Sequence, residues 1–399
     1  MNINESDKDI FEKFETPFYL FDIAELYARV NKIKEILGDK INLCYAMKAN
    51  PFLISYLNKM VDKFEVCSPG EYEICKAEKI ALSKIILSGV YKDEQSLKET
   101  FEDGFNGVYT IESREQCELL YKLAKEYNRK IYVLLRVTSG NQFGMDEEEI
   151  EAIINSEEYR IYFVLEGIHY FSGTQKKNHE LIQKELRNIA EFGKYIEKKH
   201  GIAVSKIEYG PGLYVDYFGN KVDDIAEAQC LVNVIKEVSD SFEITIELGR
   251  YIAACCGKYV TKVVDIKKNH GINYAIVDGG IHQVDYYGQM LGLRVPRVTV
   301  LNKENYDIGE KENWMVCGAL CTIHDVLLKN YETYSLQKGD LIIFHDTGAY
   351  SMTDTSALFL SREIPAVQIK KENGDIECLR KRQKSAVFNM PRRESEHKR

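Results

Sequence analysis

From Ile41 to Glu247 the chain alternates between two hydrophobic rhythms. Short apolar, β-prone runs occur at Ile41 to Lys48, Phe64 to Cys67, Ile85 to Ser88, Gly107 to Thr110, Ile131 to Val137, Phe163 to Tyr170, Lys206 to Tyr209 and Glu243 to Glu247. Between them lie segments such as Glu112 to Tyr127, His179 to Lys199 and Asp224 to Val238, whose apolar residues return every three or four positions, as on one face of a helix. Upstream, Thr16 to Phe21 reads as a strand and Asp22 as a helix N-cap. Ile23, Leu26, Val30, Ile33 and Leu37 then mark one helical face that ends at Gly38. Eight strands alternating with helices predict an α/β fold, a (β/α)8 TIM barrel, in which chemistry gathers at the C-terminal ends of the strands.

After Arg250 the rhythm changes. Tyr259 to Ile266, Tyr274 to Val277, Arg297 to Leu301, Trp314 to Ala319, Leu341 to His345 and Ala366 to Ile369 are short β-rich runs without long helices between them. VQIKK and IECLR flank Asn373-Gly374, a hairpin signal. The pattern predicts a barrel over residues 22–258, a β domain from residues 1–21 and 259–379, and a disordered basic tail over 380–399.

Composition narrows the function. The 399 residues are 45% hydrophobic, enough for a large core, and the net charge of −9 speaks against a general nucleic-acid binder, which needs a basic face. The start of the chain is charged, and no run of 18 uncharged apolar residues occurs, so a cytoplasmic protein without a membrane segment is expected. The 10 cysteines form no CxxC pair, so neither a disulfide frame nor a metal site is expected.

The strand ends carry the chemistry. The first run ends in Lys48 and a stop at Asn50-Pro51, and the second leads into Ser68-Pro69-Gly70-Glu71. The sixth runs into Ser172-Gly173-Thr174, the seventh ends in Gly210-Pro211-Gly212, and the eighth in Glu247-Leu248-Gly249-Arg250. A lysine in this position is either a surface charge or a Schiff-base amine. Together with an acid, an arginine and glycine loops it suits pyridoxal 5'-phosphate: an amine for the aldehyde, an acid for the ring nitrogen, and N–H groups and a guanidinium for the phosphate.

With these pieces in place, YAMKAN, FEVCSPGE, LLRV, QFGMDE, GIHYFSGTQ, GPG, ELGRYI, VDGG, CGALCTIHD and GAY make the chain resemble the fold-type III pyridoxal-phosphate decarboxylases, the diaminopimelate and ornithine decarboxylase group, over nearly its whole length. The resemblance implies that Lys48 holds the cofactor and later moves a proton, and that Glu247 pairs with the ring nitrogen. It implies that Thr174, Gly212, Gly249, Arg250 and Tyr350 hold the phosphate, while Phe171 takes the place of the histidine that stacks on the ring. Glu65, Glu71 and Arg136 fall where the family keeps supporting polar groups, though a barrel-core ion pair explains them equally. Cys321 falls where the family places a cysteine that enters the partner subunit's active site and protonates the substrate carbon, which implies a homodimer. Asp325 falls where the family has an acid near the substrate.

Two departures bear on the substrate and the cofactor. Where diaminopimelate decarboxylases read Cys-Glu-Ser-Gly-Asp, this chain reads Cys321-Thr322-Ile323-His324-Asp325, and Thr322 cannot pair with a distal ammonium. Pro211 removes one N–H from the phosphate loop. The motifs resemble more the secondary-metabolism branch, which includes decarboxylases of a carrier-tethered glutamyl group in butirosin biosynthesis and of a citryl-diaminopropionate precursor. The expected activity is therefore α-decarboxylation of an amino acid, free, modified or carrier-tethered, with diaminopimelate decarboxylation or a non-catalytic binding role as the alternatives. A racemase is disfavoured by ELGR, because an acid at the ring nitrogen strengthens electron withdrawal.

Overall fold

The structure, a computed structural model, describes residues 5–219, 225–302 and 310–391. It divides into two compact units. One comprises Tyr27–Val215 and Val222–Ile252; the other comprises Met1–Leu26, Asp216–Lys221 and Ala253–Arg399, so far as these are described. Residues 216–219, inside the expected barrel span, thus group with the β-rich unit.

Strand β1 (Phe18–Asp22) belongs to the β-rich unit. The next eight form the barrel: β2 (Ile41–Ala46), β3 (Lys63–Val66), β4 (Ile85–Leu87), β5 (Val108–Ile111), β6 (Ile131–Arg136), β7 (Phe163–Phe171), β8 (Lys206–Gly210) and β9 (Glu243–Leu248). They close in sequence order, all parallel, with Ile41 opposite Ile244 and Tyr45 opposite Leu248 at the seam. Strands covered by helices outside and packed side chains inside read as nearly unbroken apolar runs, and β4 and β5 are buried along their whole length. Side-chain caps start the intervening helices: Ser68 accepts from the Glu71 N–H, Ser113 from Gln116 and Asn178 from Leu181. Gly167 sits where β7 presses on β8, since a Cβ there would lie 1.9 Å from the Lys206 carbonyl oxygen.

In the other unit, β10 (Gly257–Asn269), β11 (Ile272–Val277), β12 (Val298–Leu301), β13 (Lys311–Cys317), β14 (Val326–Tyr334), β15 (Leu341–His345), β16 (Ala366–Lys370) and β17 (Ile376–Arg380) join β1 in one mixed sheet. β1 lies between β10, antiparallel, and β16, parallel. Phe11, Phe18, Leu20, Val260 and Ile343 pack as one buried cluster. Three features depart from the expectations. A helix covers Glu5–Lys13, and β14 forms from VLLKNYETY, a run whose central Lys329-Asn330 broke the apolar signal. Part of the stretch read as a disordered tail is built into this unit: Gln383 bridges Ile364, the buried Ser385 donates to the Arg362 carbonyl at 2.6 Å, and Ala386–Asn389 forms a helical turn. Backbone pairing outweighs the polar composition there; residues 392–399 of that tail lie outside the described residues.

Candidate active site at the C-terminal ends of the barrel strands

Lys48 does not lie in β2 but in the 3-10 turn Met47–Ala49 that follows it. Asn50 ends the turn and caps the next one, its side chain accepting from the Phe52 N–H. This places the lysine over the barrel end. Its side chain is 39% exposed, whereas the two acids it meets are 3% and 6% exposed, so the amine reaches down to a buried anionic floor. Nζ lies 2.7 Å from Glu65 Oε2 on β3, 3.9 Å from Glu247 Oε1 on β9 and 3.7 Å from Cys67 Sγ. The Cys67 thiol donates to Glu65 Oε1 at 3.1 Å, and burial, followed by the charge of Glu65, pushes that thiol well up, so it stays protonated. Glu71 accepts from the Cys67 N–H at 2.7 Å; it braces the β3 loop rather than meeting Lys48 directly.

Glu247 is buried, which by itself would raise its carboxyl. A contact with His169 Nε2 at 3.2 Å, then Lys48 and Arg136, outweigh that and hold it at about 2. On the adjacent strand, Glu208 has the opposite fate: burial, then the charges of Glu247 and Glu65, drive it well above the ordinary range, so it keeps its proton. Ligand atoms of His169, Glu208 and Glu247 all lie within 4.8 Å of one another, a spacing that a protonated Glu208 accounts for. Arg136 pairs with Glu112 at 3.0 Å, with its guanidinium 4.8 Å from the centre of the Phe143 ring. It therefore forms a barrel-core ion pair whose positive field reaches Glu247. His169, Glu208 and Glu112 were not singled out in the sequence. For His169 and Glu208 the signal available was a charged or imidazole side chain within a buried strand, whereas Glu112 follows the end of β5.

At the ends of β7 and β8 the structure brings Phe171, Thr174 and Gly212 together. Gly212 has φ +61°, and a Cβ on it would lie 1.9 Å from the Gly173 carbonyl oxygen and 3.1 Å from Thr174 Cα. Only glycine permits this approach of the two loops. The Lys176 N–H donates to the Gly212 carbonyl at 2.9 Å. The Phe171 ring covers Gly210, 2.6 Å from where its Cβ would stand. Gly249 lets the end of β9 approach the Lys48 turn, its Cβ position lying 3.1 Å from Ala49 and 3.2 Å from Ala46, and Arg250 begins the short helix Arg250–Ala253.

Cys321, Asp325 and Tyr350 belong to the β-rich unit. Cys321 is exposed, beside Ile323, which is 89% exposed. Asp325 is buried, and both its oxygens are engaged by backbone: the Ile281 N–H donates to one at 2.9 Å and the Leu320 N–H to the other at 2.7 Å. It thus shapes the loop that presents Cys321. Tyr350 has φ +66°, a costly backbone state for a tyrosine. It follows Gly348, whose Cβ would lie 1.9 Å from the Ala253 carbonyl.

A closed parallel barrel with a lysine after its first strand, set on buried carboxylates beside glycine-formed loops, defines a pyridoxal-phosphate enzyme. The residues fit the cofactor: an amine for the aldehyde, a carboxylate held ionised for a ring N–H, and a cradle that a single Cβ would fill. Residues 23–254 match the pyridoxal-binding domain of the pyridoxal-dependent decarboxylases. The chain belongs to that family and is a pyridoxal-phosphate-dependent carboxy-lyase.

Among its relatives, the L-glutamyl-(BtrI acyl-carrier protein) decarboxylase of Niallia circulans is 28% identical over 96% of this chain and 95% of its own. The 2-((L-alanin-3-ylcarbamoyl)methyl)-2-hydroxybutanedioate decarboxylase of Staphylococcus aureus is 27% identical over 87% of this chain and 92% of its own. In fold, the chain is similar to diaminopimelate decarboxylase from Helicobacter pylori complexed with L-lysine, with a TM-score of 0.82 at 23% identity over 96% of this chain and 98% of that one.

Proposed function

We propose that this enzyme removes the α-carboxylate of a modified or carrier-tethered amino acid, using Lys48 of one subunit and Cys321 of the partner subunit. The observation that carries the proposal is the seat of Lys48, 2.7 Å from Glu65 and 3.9 Å from Glu247 on the floor of the barrel end. Bound there, pyridoxal phosphate supplies an electron sink for the pair left behind when carbon dioxide departs. Lys48 would hold the cofactor through its amine, and Glu65, 2.7 Å from Nζ, would take or return the proton of that amine. Glu247, held ionised, keeps a ring N–H in place. Thr174, Gly212, Gly249, Arg250 and Tyr350 bind the phosphate, and the Phe171 ring offers a stacking face that does not titrate.

Once carbon dioxide has left, the thiol of the partner subunit's Cys321 would give its proton to the substrate Cα and be left as a thiolate that regains a proton from solvent. The exposure of Cys321, on a loop stiffened by Asp325, supports this role. Thr322 in place of an acid, together with the two relatives whose names specify conjugated amino-acid substrates, favours such a substrate over diaminopimelate. If two subunits share each site, mixing inactive Lys48→Ala and Cys321→Ala subunits should restore roughly a quarter of the activity through mixed dimers. No recovery on subunit exchange would contradict the shared site.

A further inference from the structure

Glu185 breaks the pattern of its own helix. The helix His179–His200 buries Ile182, Leu186, Ile189 and Ile196 toward the barrel, and Glu185 is buried among them, 8% exposed. A carboxylate on the apolar face is costly unless donors surround it, and here they do. Ser172 Oγ donates to Oε1 at 2.6 Å, Lys176 Nζ to Oε2 at 2.6 Å, and the Tyr209 hydroxyl lies 2.7 Å from Oε2. Lys176 also donates to Ser172 Oγ at 2.7 Å, which closes the ring.

These partners come from both loops that meet at Gly212. Ser172 and Lys176 bracket Gly173-Thr174 after β7. Tyr209 stands on β8 just before Gly210-Pro211-Gly212, opposite Tyr170 in the ladder. A second clasp repeats the arrangement further out, where the Gln175 side chain accepts from the Val215 N–H at 2.7 Å and donates to the Val215 carbonyl at 3.1 Å. The Tyr209 hydroxyl also meets the Ile182 carbonyl at 3.0 Å and so ties the helix to the barrel, while Ser172, Lys176 and Tyr209 all border the two loops. Each fixes one end of a four- to five-residue glycine loop that would otherwise have many conformations.

We propose that Glu185 is the positioning residue of the cofactor's phosphate site: with Lys176, Ser172 and Tyr209 it locks the loops after β7 and β8 in their phosphate-binding shape before the cofactor arrives. This rests on the reading of Thr174 and Gly212 as phosphate-binding residues. Prepaying the ordering of these loops lowers the cost of binding and so raises cofactor affinity, while leaving the chemistry at Lys48 untouched.

The test titrates pyridoxal phosphate into cofactor-stripped protein and reads the visible absorbance band of the lysine-bound cofactor. Glu185→Gln keeps the shape but loses the charge that draws in three donors, and its dissociation constant should rise by about tenfold or more, with the band at saturating cofactor unchanged in position. Tyr209→Phe, a milder change, should shift affinity the same way by a few-fold. In Lys176→Met/Glu185→Leu, apolar packing can recover thermal stability, but Ser172 has lost its acceptor, so affinity should remain weak. Wild-type affinity in Glu185→Gln, or recovery of affinity together with stability in the double variant, would overturn the proposal. A wild-type protein that forms no band at millimolar cofactor would overturn the cofactor site itself.

Discussion

Glu247 and Glu208 stand on neighbouring strands and titrate in opposite directions. Glu247 is held at about 2, below its ordinary 4.5. Its ionised form therefore stabilises the folded chain fully above about pH 4.5, and that contribution is lost as the pH falls toward 2. Glu208 is raised well above 4.5, so its contribution is full below pH 4.5 and is lost as the pH rises through its folded value. Glu208→Gln, which imitates the protonated acid, should then leave the melting temperature of cofactor-free protein at pH 7.5 equal to or above the parent's. A lower value would mean that Glu208 works as an anion. Glu247→Gln should lower turnover by about 10²- to 10³-fold, as expected for loss of one preorganised electrostatic partner, with the cofactor still bound; steady-state rates check this. Lys48 and Glu247 were legible in the sequence because each ends an apolar run beside a turn. Glu208 and His169 were not, because an inward charge in a strand is recognised only once the neighbouring strands are placed beside it.

Elements depend on where backbone approaches backbone. Gly167→Ala would force a Cβ to within 1.9 Å of the Lys206 carbonyl, and overpacking of this kind costs about 1–3 kcal/mol, measurable by urea unfolding. Unchanged stability would show that β7 and β8 can separate at little cost. Asp325→Ala would strip two buried N–H groups of their acceptor, a loss of about 1–3 kcal/mol. If Asp325 shapes the loop that carries Cys321, and Cys321 delivers the proton as proposed, substrate KM should move less than kcat. All eight barrel strands were legible from period and spacing, since a strand buried on both faces leaves an unbroken apolar run. β14 and the turn Ala386–Asn389 were not: Val326–Tyr334 alternates imperfectly, and the order of 381–391 comes from pairing with Ile364 and from Arg382 bonds to Glu15 and Glu363, partners remote in sequence.

For the whole molecule, the net charge of −9 and the barrel-end site set the frame within which specificity is decided. Among the described residues no helix is long and apolar enough to cross a membrane. The family and cofactor were legible because ten short motifs fall in a fixed order, most of them at strand ends. For the substrate the sequence offers only Thr322, which speaks against diaminopimelate, because specificity loops carry no periodic signal. The most direct measurement is carbon dioxide release by the cofactor-loaded enzyme, comparing L-glutamate tethered to an acyl-carrier protein with free meso-diaminopimelate. Release from the tethered amino acid and none from diaminopimelate is the predicted result. Robust release from free diaminopimelate, or none from the tethered amino acid while the cofactor band is intact, would contradict the substrate class proposed here.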